Sequence, residues 1–321
     1  MNPIRIIKFK IITMKRQFVF VLLIAIGFCY NASAQITTSA ELIKFYTAEW
    51  TGERFPDGRP WVEDEYLDRL LNLSIEEIWS VLRNSGYNCQ FDAGWEMVHP
   101  DKPFVGRAVT ALYLPSRPDV HKKIIEKGHS EGHIGAPNSW PIDLLKEGDV
   151  YVADTRGKII NGTLIGDNLA NSIYSKSGSG VVFDGSARDL EGISKVEGFN
   201  AFVRGFDPSY ILNLTMMGIN VPVQIGRAVV FPGDIVLAKK AGVIFIPPHL
   251  VKKAVLTGEF VQIRDKFGHQ ALREGWFTTG QIDSGWTDEI ITAFLEWLDN
   301  NPDATPMSRE EIEEIFKDRN W

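Results

Sequence analysis

Between residues 105 and 247 the chain alternates short apolar runs, rich in valine, isoleucine and phenylalanine, with turns marked by glycine. Runs at 109–114, 150–153, 180–183, 201–204, 221–225 and 243–246 have the length and composition of strands. Stretches at 118–127, 166–177 and 188–196 carry helical spacing. Strands and helices interleaved in this way predict a layered α/β domain. The flanks read differently. Residues 39–49 predict a short helix, followed by a segment punctuated by glycine and proline at 51–58, expected on the surface or against a neighbouring subunit. Ser74-Ile75-Glu76-Glu77 is a capping-box pattern, and the helix it opens sets Ile75, Ile78, Trp79 and Leu82 on one face. Beyond Pro248 the pattern is helical at 250–272, at 288–298, and from a second capping box at Ser308–Glu311 to Phe316. Trp276, Trp286, Trp297 and Trp321 predict that this tail packs on something, an adjacent subunit being the natural candidate.

The N-terminus has its own signature. Met14-Lys15-Arg16-Gln17 is basic, Phe18 to Cys29 is an apolar run, and Ala32-Ser33-Ala34 is a small-x-small cleavage pattern. That is the layout of a secretory signal peptide, and the apolar run falls short of the roughly 20 residues of a comfortable membrane span. The expected organisation is a signal peptide at 1–34, an N-terminal extension at 35–70, an α/β domain at 71–285 and a helical extension at 286–321. The expected location is periplasmic or secreted, without stable membrane insertion.

Composition narrows the partners. The chain has 321 residues, 44% of them hydrophobic, which is enough for a large buried core. Five of its 34 basic side chains and none of its 41 acidic ones fall in the first 34 residues. The rest therefore carries 29 against 41, a net −12. Such a body lacks the basic footprint that holds nucleic acid. After cleavage near Ala34 the only cysteine is Cys89, so no intramolecular disulfide can form, and a buried structural thiol is the expected role.

Two segments carry candidate chemistry. Gly166-Asp167-Asn168-Leu169 opens a predicted helix, whose backbone amides favour an anion. Gly180 to Asp189 runs as a buried strand into a tight turn ending in adjacent Arg188 and Asp189. A guanidinium suits a carboxylate or enolate oxygen, and a carboxylate is a hard ligand for Mg²⁺. From spacing alone the pair serves as readily for a helix cap and a surface ion pair. His129-Ser130-Glu131-Gly132-His133 could bring two imidazoles and a carboxylate to one metal, or form a solvated loop.

The order of segments adds to this. Phe104-Val105-Gly106-Arg107-Ala108-Val109-Thr110, Gly148-Asp149-Val150-Tyr151-Val152, the Gly166 loop, Val181-Val182-Phe183-Asp184-Gly185-Ser186-Ala187-Arg188-Asp189 and Pro232-Gly233-Asp234-Ile235-Val236 together resemble the RraA-like family over roughly residues 71–285. The resemblance implies an α/β/α sandwich of the swivelling β/β/α type, assembled as homotrimers or hexamers with sites in clefts between subunits. It further implies that Asp189 holds a divalent metal, Mg²⁺ or Mn²⁺, largely through waters, with Asp167 near metal-bound water. Arg188 would meet the keto oxygen of a small anionic 2-oxo acid, and Gly166 to Leu169 its carboxylate. The implied activity is that of a metal-dependent aldolase or decarboxylase, exported here. A non-catalytic trimeric scaffold, or a lyase or hydrolase on an oxidised carbohydrate, are the alternatives. Three features depart from the family pattern: Lys239 where an acid is expected, Trp79-Ser80 in the first helix, and an insertion at 129–141.

Overall fold

The computed structural model describes residues 36–318, so the segment expected to be a signal peptide and Trp321 lie outside the described residues. The strands are β1 (Phe91–Asp92), β2 (Glu96–Met97), β3 (Phe104–Pro115), β4 (Asp149–Thr163), β5 (Val181–Ala187), β6 (Ala201–Phe206), β7 (Leu214–Ile219), β8 (Val223–Ile225), β9 (Ala228–Val230), β10 (Ile235–Lys239) and β11 (Gly242–Ile246). Nine of them form one mixed sheet in the order β1-β11-β10-β3-β4-β5-β6-β2, with β7 paired to β3. Its centre, β3-β4-β5-β6, is parallel, and the outer pairings are antiparallel. Central strands covered on both faces read as continuous apolar runs, which is why the sequence signal is strongest there.

Alternation along the strands separates the two faces. Val181 and Phe183 of β5 join Val109, Tyr151 and Val203 under the helices Trp140–Asp143 and Asp167–Ser177. Val182 points the other way, with Val150, Val152 and Phe202, against the β8–β9 hairpin. Farther along the first face, Leu237 and Ile244 pack on the helices Asp64–Leu70, Ile75–Asn84 and Val251–Glu274. One face of the sheet therefore carries helices. The other is closed by the hairpin, the β/β/α order of layers, rather than by a second helical layer.

The capping box at Ser74 forms as expected. Ser74 Oγ accepts from the Glu77 amide at 3.1 Å, and Glu77 Oε2 accepts from the Ser74 amide at 2.7 Å. Ile75, Ile78 and Leu82 are buried, Val81 joins them, and Trp79 sits half-buried beneath Arg83.

Several expectations need correction. The helix expected at 188–196 shrinks to Leu190–Ile193, because Asp189 takes a left-handed conformation (φ 58°, ψ 41°) that no α-helix continues. The run at 221–225 yields only Val223–Ile225, and β7 and β10 lie where no strand was expected. Residues 51–58 keep to the surface at Thr51, Gly52, Glu53 and Pro56, as expected, and then lead into the domain. Arg59, fully buried, meets Asp149 at the start of β4 in a two-pronged ion pair of 2.8 and 3.0 Å. Cys89 is exposed rather than buried. The tryptophans of the tail pack on this chain's own long helix: Phe267 lies 5.4 Å from Trp286 and 5.8 Å from Trp297, ring centre to ring centre. Among the described residues, no helix is long and apolar enough to cross a membrane.

Candidate active site

The neighbouring parallel strands β4 and β5 deliver their C-terminal ends to one place. In open α/β sheets the crevice outside the carboxyl ends of parallel strands is where ligands bind, since loops diverge there and helix N-termini point in. After β4 the chain passes through Leu164 and Ile165 to Gly166, the N-cap of the helix Asp167–Ser177. After β5 it turns at Arg188 and Asp189. The two turns are stitched together, because the Leu164 amide donates to the Ser186 carbonyl and the Arg188 amide to the Ile165 carbonyl, each at 3.0 Å.

This brings all six residues expected at the site, Gly166, Asp167, Asn168, Leu169, Arg188 and Asp189, to the wall of one open cleft of about 110 Å³. Arg188 Nε lies 3.5 Å from Asp189 Oδ2, and both side chains are 44% exposed, so the pair is available to a ligand rather than sealed in the core. Asp167 is half-buried, and its Oδ1 accepts from the Asn168 amide at 2.8 Å.

Gly166 is there for space. Its φ of −120° suits any residue, but a side chain would run into the Asp189 carboxylate and come within 3.3 Å of Arg188 Nε. Gly192 plays the same part for Asp167, whose Cβ would be 2.8 Å from a methyl placed there. The left-handed backbone of Asp189 is a further local cost, of the kind that persists when surrounding structure enforces it.

Besides Thr163, Leu164 and Ile165, which simply lead into Gly166, three residues from elsewhere in the chain line the cleft unforeseen. Asn138 belongs to the insertion at 129–141 and donates from Nδ2 to the Leu164 carbonyl at 2.7 Å. Tyr210 and Ile211 come from a loop tied to β4 through Thr163 Oγ1, which donates to the Ser209 carbonyl at 2.6 Å. No motif marks these positions. They arrive by tertiary contact alone.

The other features marked in the sequence lie elsewhere. Lys239, standing where an acid was expected, does not line the cleft. Its Nζ donates to the Leu73 carbonyl at 2.5 Å, and burial lowers its pKa against the opposing pull of Glu77 and Glu76. His133 stacks on Trp140 at 5.0 Å and His129 meets the same ring edge-on, while Glu131 pairs with Lys127 at 3.1 Å and accepts from the Ile36 amide. These contacts set both imidazoles against the Trp140 ring, in a segment that is otherwise largely exposed. Among the described residues no group of three or more His, Cys, Asp or Glu is placed to hold a metal.

A hard divalent cation still fits the cleft. Mg²⁺ is commonly held by one or two carboxylates, with water and substrate oxygens completing its shell. Asp189 offers an exposed carboxylate, Asp167 stands beside the same opening, and no thiolate or imidazole lines it to favour a softer ion.

The mixed sheet, the helix N-terminus and the Arg–Asp turn define an α/β protein with an anion-accepting, carboxylate-bearing cleft at its strand ends. Residues 68–245 match the model of the family RraA-like: Aldolase/RraA, and the chain belongs to that family. Two curated relatives carry the provisional name 4-hydroxy-4-methyl-2-oxoglutarate aldolase. One, from Halalkalibacterium halodurans, is 28% identical over 127 residues, 40% of this chain and 60% of its own length. The other, from Alcanivorax borkumensis, is 30% identical over 105 residues, 33% of this chain and 64% of its own length. The chain thus spans a little over six tenths of the relatives it matches. Among solved structures, an uncharacterized protein from Pseudomonas syringae pv. tomato superposes with a TM-score of 0.57 at 22% identity, covering 72% of this chain and 99% of that one. Streptomyces coelicolor RraAS2, described as an unusual member of the RNase ES inhibitor RraA family, gives 0.56 at 22% identity, covering 65% and 99%. These likenesses establish the fold.

Proposed function

We propose that the chain is a carbon–carbon lyase that cleaves a small anionic 2-oxo acid with the help of Mg²⁺ or Mn²⁺. The observation that carries this reading is the meeting of Arg188, Asp189 and the N-terminus of the helix Asp167–Ser177 in one solvent-open cleft. Family membership and the provisional names of the relatives support it.

The roles follow from the chemistry of each group. The start of the helix, with its partial positive charge and with Gly166 leaving the main chain accessible, receives the substrate carboxylate. Asp189 would hold the metal, with Asp167 adjacent. When bound, the ion acts as a Lewis acid toward the keto oxygen. Arg188 supplies a fixed positive charge where negative charge grows as the C3–C4 bond breaks: C4 leaves as CO₂, or as a carbonyl compound once its hydroxyl has given its proton to water, and the electron pair forms a pyruvate enolate that then takes a proton from water. Such preorganised charge is the largest single contribution in reactions of this type. The cleft's small volume selects a short substrate.

Self-association belongs to the same reading. Tyr210 at the cleft is 63% exposed, and Leu212 and Ile160 are exposed as well, apolar side chains close in sequence to the cleft's lining. A homotrimer or hexamer would cover them. Export remains part of the proposal as well, on the strength of the 14–34 pattern, and N-terminal sequencing of the protein recovered outside the cytoplasm tests it.

The decisive experiment follows pyruvate release from oxaloacetate and from 4-hydroxy-4-methyl-2-oxoglutarate, with Mg²⁺ and with chelator. Arg188→Ala and Asp189→Ala should each lower kcat/KM by about a hundredfold or more, on the order of 3 kcal/mol. Full activity in both variants would overturn the site. Absence of Mg²⁺ and Mn²⁺ binding by calorimetry would favour the scaffold reading.

A further inference from the structure

A second recess, of about 280 Å³, shares no residue with the lyase cleft. It lies beside the end of the helix Ala40–Tyr46 and the turn that follows it. Aromatic rings make its walls. Tyr46 and Phe231 stack at 5.4 Å with their planes 10° apart, and Trp50 and Tyr87 complete the lining. The Trp50 ring is fixed in place: its Nε1 donates to the Glu53 carbonyl at 2.7 Å, and one edge rests on Gly52, where any side chain would displace it.

Two carboxyl groups line this aromatic enclosure. Glu49 is exposed, and among the described residues it forms no ion pair. Asp234 is only 2% exposed, yet it also lines the recess. Its Oδ2 accepts from the Phe231 amide at 2.8 Å. Among the described residues nothing donates to its Oδ1, and no lysine or arginine pairs with it. Its Oδ1 is not among the sealed, unpartnered atoms of the described residues, so it is open to a donor arriving through the recess.

The surrounding charges do not supply one. His249 Nε2 lies 3.2 Å from the Tyr87 hydroxyl, and burial lowers the imidazole's pKa against the opposing pull of Glu49. Arg54 spends its guanidinium on Thr47 Oγ1 and on the carbonyls of Thr47, Trp50 and Gly58. Among the described residues no Lys or Arg stacks on Tyr46, Trp50, Tyr87 or Phe231, although three cationic side chains crowd Phe55 close by in sequence. Aromatic faces with carboxyl groups and no resident cation match the recognition of an organic ammonium, whose charge is attracted to ring faces and whose N–H groups need acceptors.

We propose that this recess binds a small organic ammonium ion, its N–H groups directed to Asp234, its carbon skeleton against Trp50 and the Tyr46–Phe231 pair, and Glu49 adding attraction. The site depends on the segment 46–50 that precedes the α/β core, and it operates whether or not the lyase assignment holds.

Calorimetric titration of the full chain at pH about 9, where the raised Asp234 carboxyl is ionised and an alkylammonium keeps its proton, with n-butylammonium chloride and with 1-butanol as the neutral match, tests this. The expected result is saturable binding of butylammonium and binding of butanol at least about tenfold weaker, the loss of one charge-assisted hydrogen bond. Glu49→Gln should weaken butylammonium by about two- to fivefold, as for a solvent-exposed ion pair. Asp234→Asn should weaken it by about tenfold or more. Because Asp234 is buried, its variant is judged only if its circular dichroism matches the parent, and the exposed Glu49 variant keeps the test decisive otherwise. Asp189→Ala should leave the titration unchanged. Equal affinity for butanol and butylammonium, an unchanged affinity in Glu49→Gln, or no butylammonium binding up to about 20 mM would overturn the proposal.

Discussion

Gly166→Ala separates the architecture of the cleft from its chemistry. The backbone there is extended, so alanine is conformationally acceptable, and the strain is purely one of contact. The new methyl would overlap the Asp189 carboxylate and sit 3.3 Å from both Asp189 Cγ and Arg188 Nε. To restore ordinary van der Waals separation, the carboxylate would have to retreat by about 1 Å. A displacement of that size at a metal-holding or charge-stabilising group costs about a hundredfold in rate. The stability cost is much smaller. Alanine is a poorer N-cap than glycine, a difference of about 1 kcal/mol or less, which lowers Tm by about 2–4 °C in a chain of this size. The assay pairs pyruvate release with thermal unfolding, and adds Mn²⁺ titration as a readout independent of substrate choice. Lost activity and weakened Mn²⁺ binding with a nearly unchanged Tm is the expected pattern. Wild-type activity and Mn²⁺ affinity would refute the reasoning, because Asp189 could then move freely without consequence.

Other outcomes follow from the buried charges and the packing. Burial pushes the Asp234 carboxyl up to about 8, well above the usual carboxylate range. A carboxyl raised on folding contributes its stability below pH about 4, and that contribution is lost as pH climbs toward 8. Asp234→Asn should therefore flatten the fall in stability between those limits, measured by urea unfolding across pH, and an unchanged slope would count against the burial argument. Asp149→Ala takes from the fully buried Arg59 guanidinium the more buried of its two carboxylate partners, leaving Asp57 at 2.8 Å, and should cost up to about 3 kcal/mol, the low end for a broken buried pair, read from denaturant midpoints. Gly128→Ala forces a methyl against the Trp140 ring and should cost about 1–3 kcal/mol, with a loosened Trp140 environment in near-ultraviolet circular dichroism.

Much of this molecule could be read along the chain, where the cause is local. The Ser74 and Ser308 boxes cap helices because a side chain three residues away reaches the backbone amide it must satisfy. The central strands announce themselves because both their faces are covered. The cleft was legible because glycine, carboxylate and guanidinium sit at the ends of two strands that were themselves legible, and because the order of segments matched a family. Tertiary structure alone decided the rest. It set Asn138, Tyr210 and Ile211 at the cleft, joined Arg59 to Asp149 across 90 positions, and folded the tryptophan-rich tail onto its own helix. It also left Cys89 in solvent and enclosed Asp234 among aromatic rings without a counter-ion. Short-range sterics and hydrogen bonds are written in neighbouring residues. Which distant surfaces bury one another depends on the whole chain competing for the same interior, and no segment carries that information by itself.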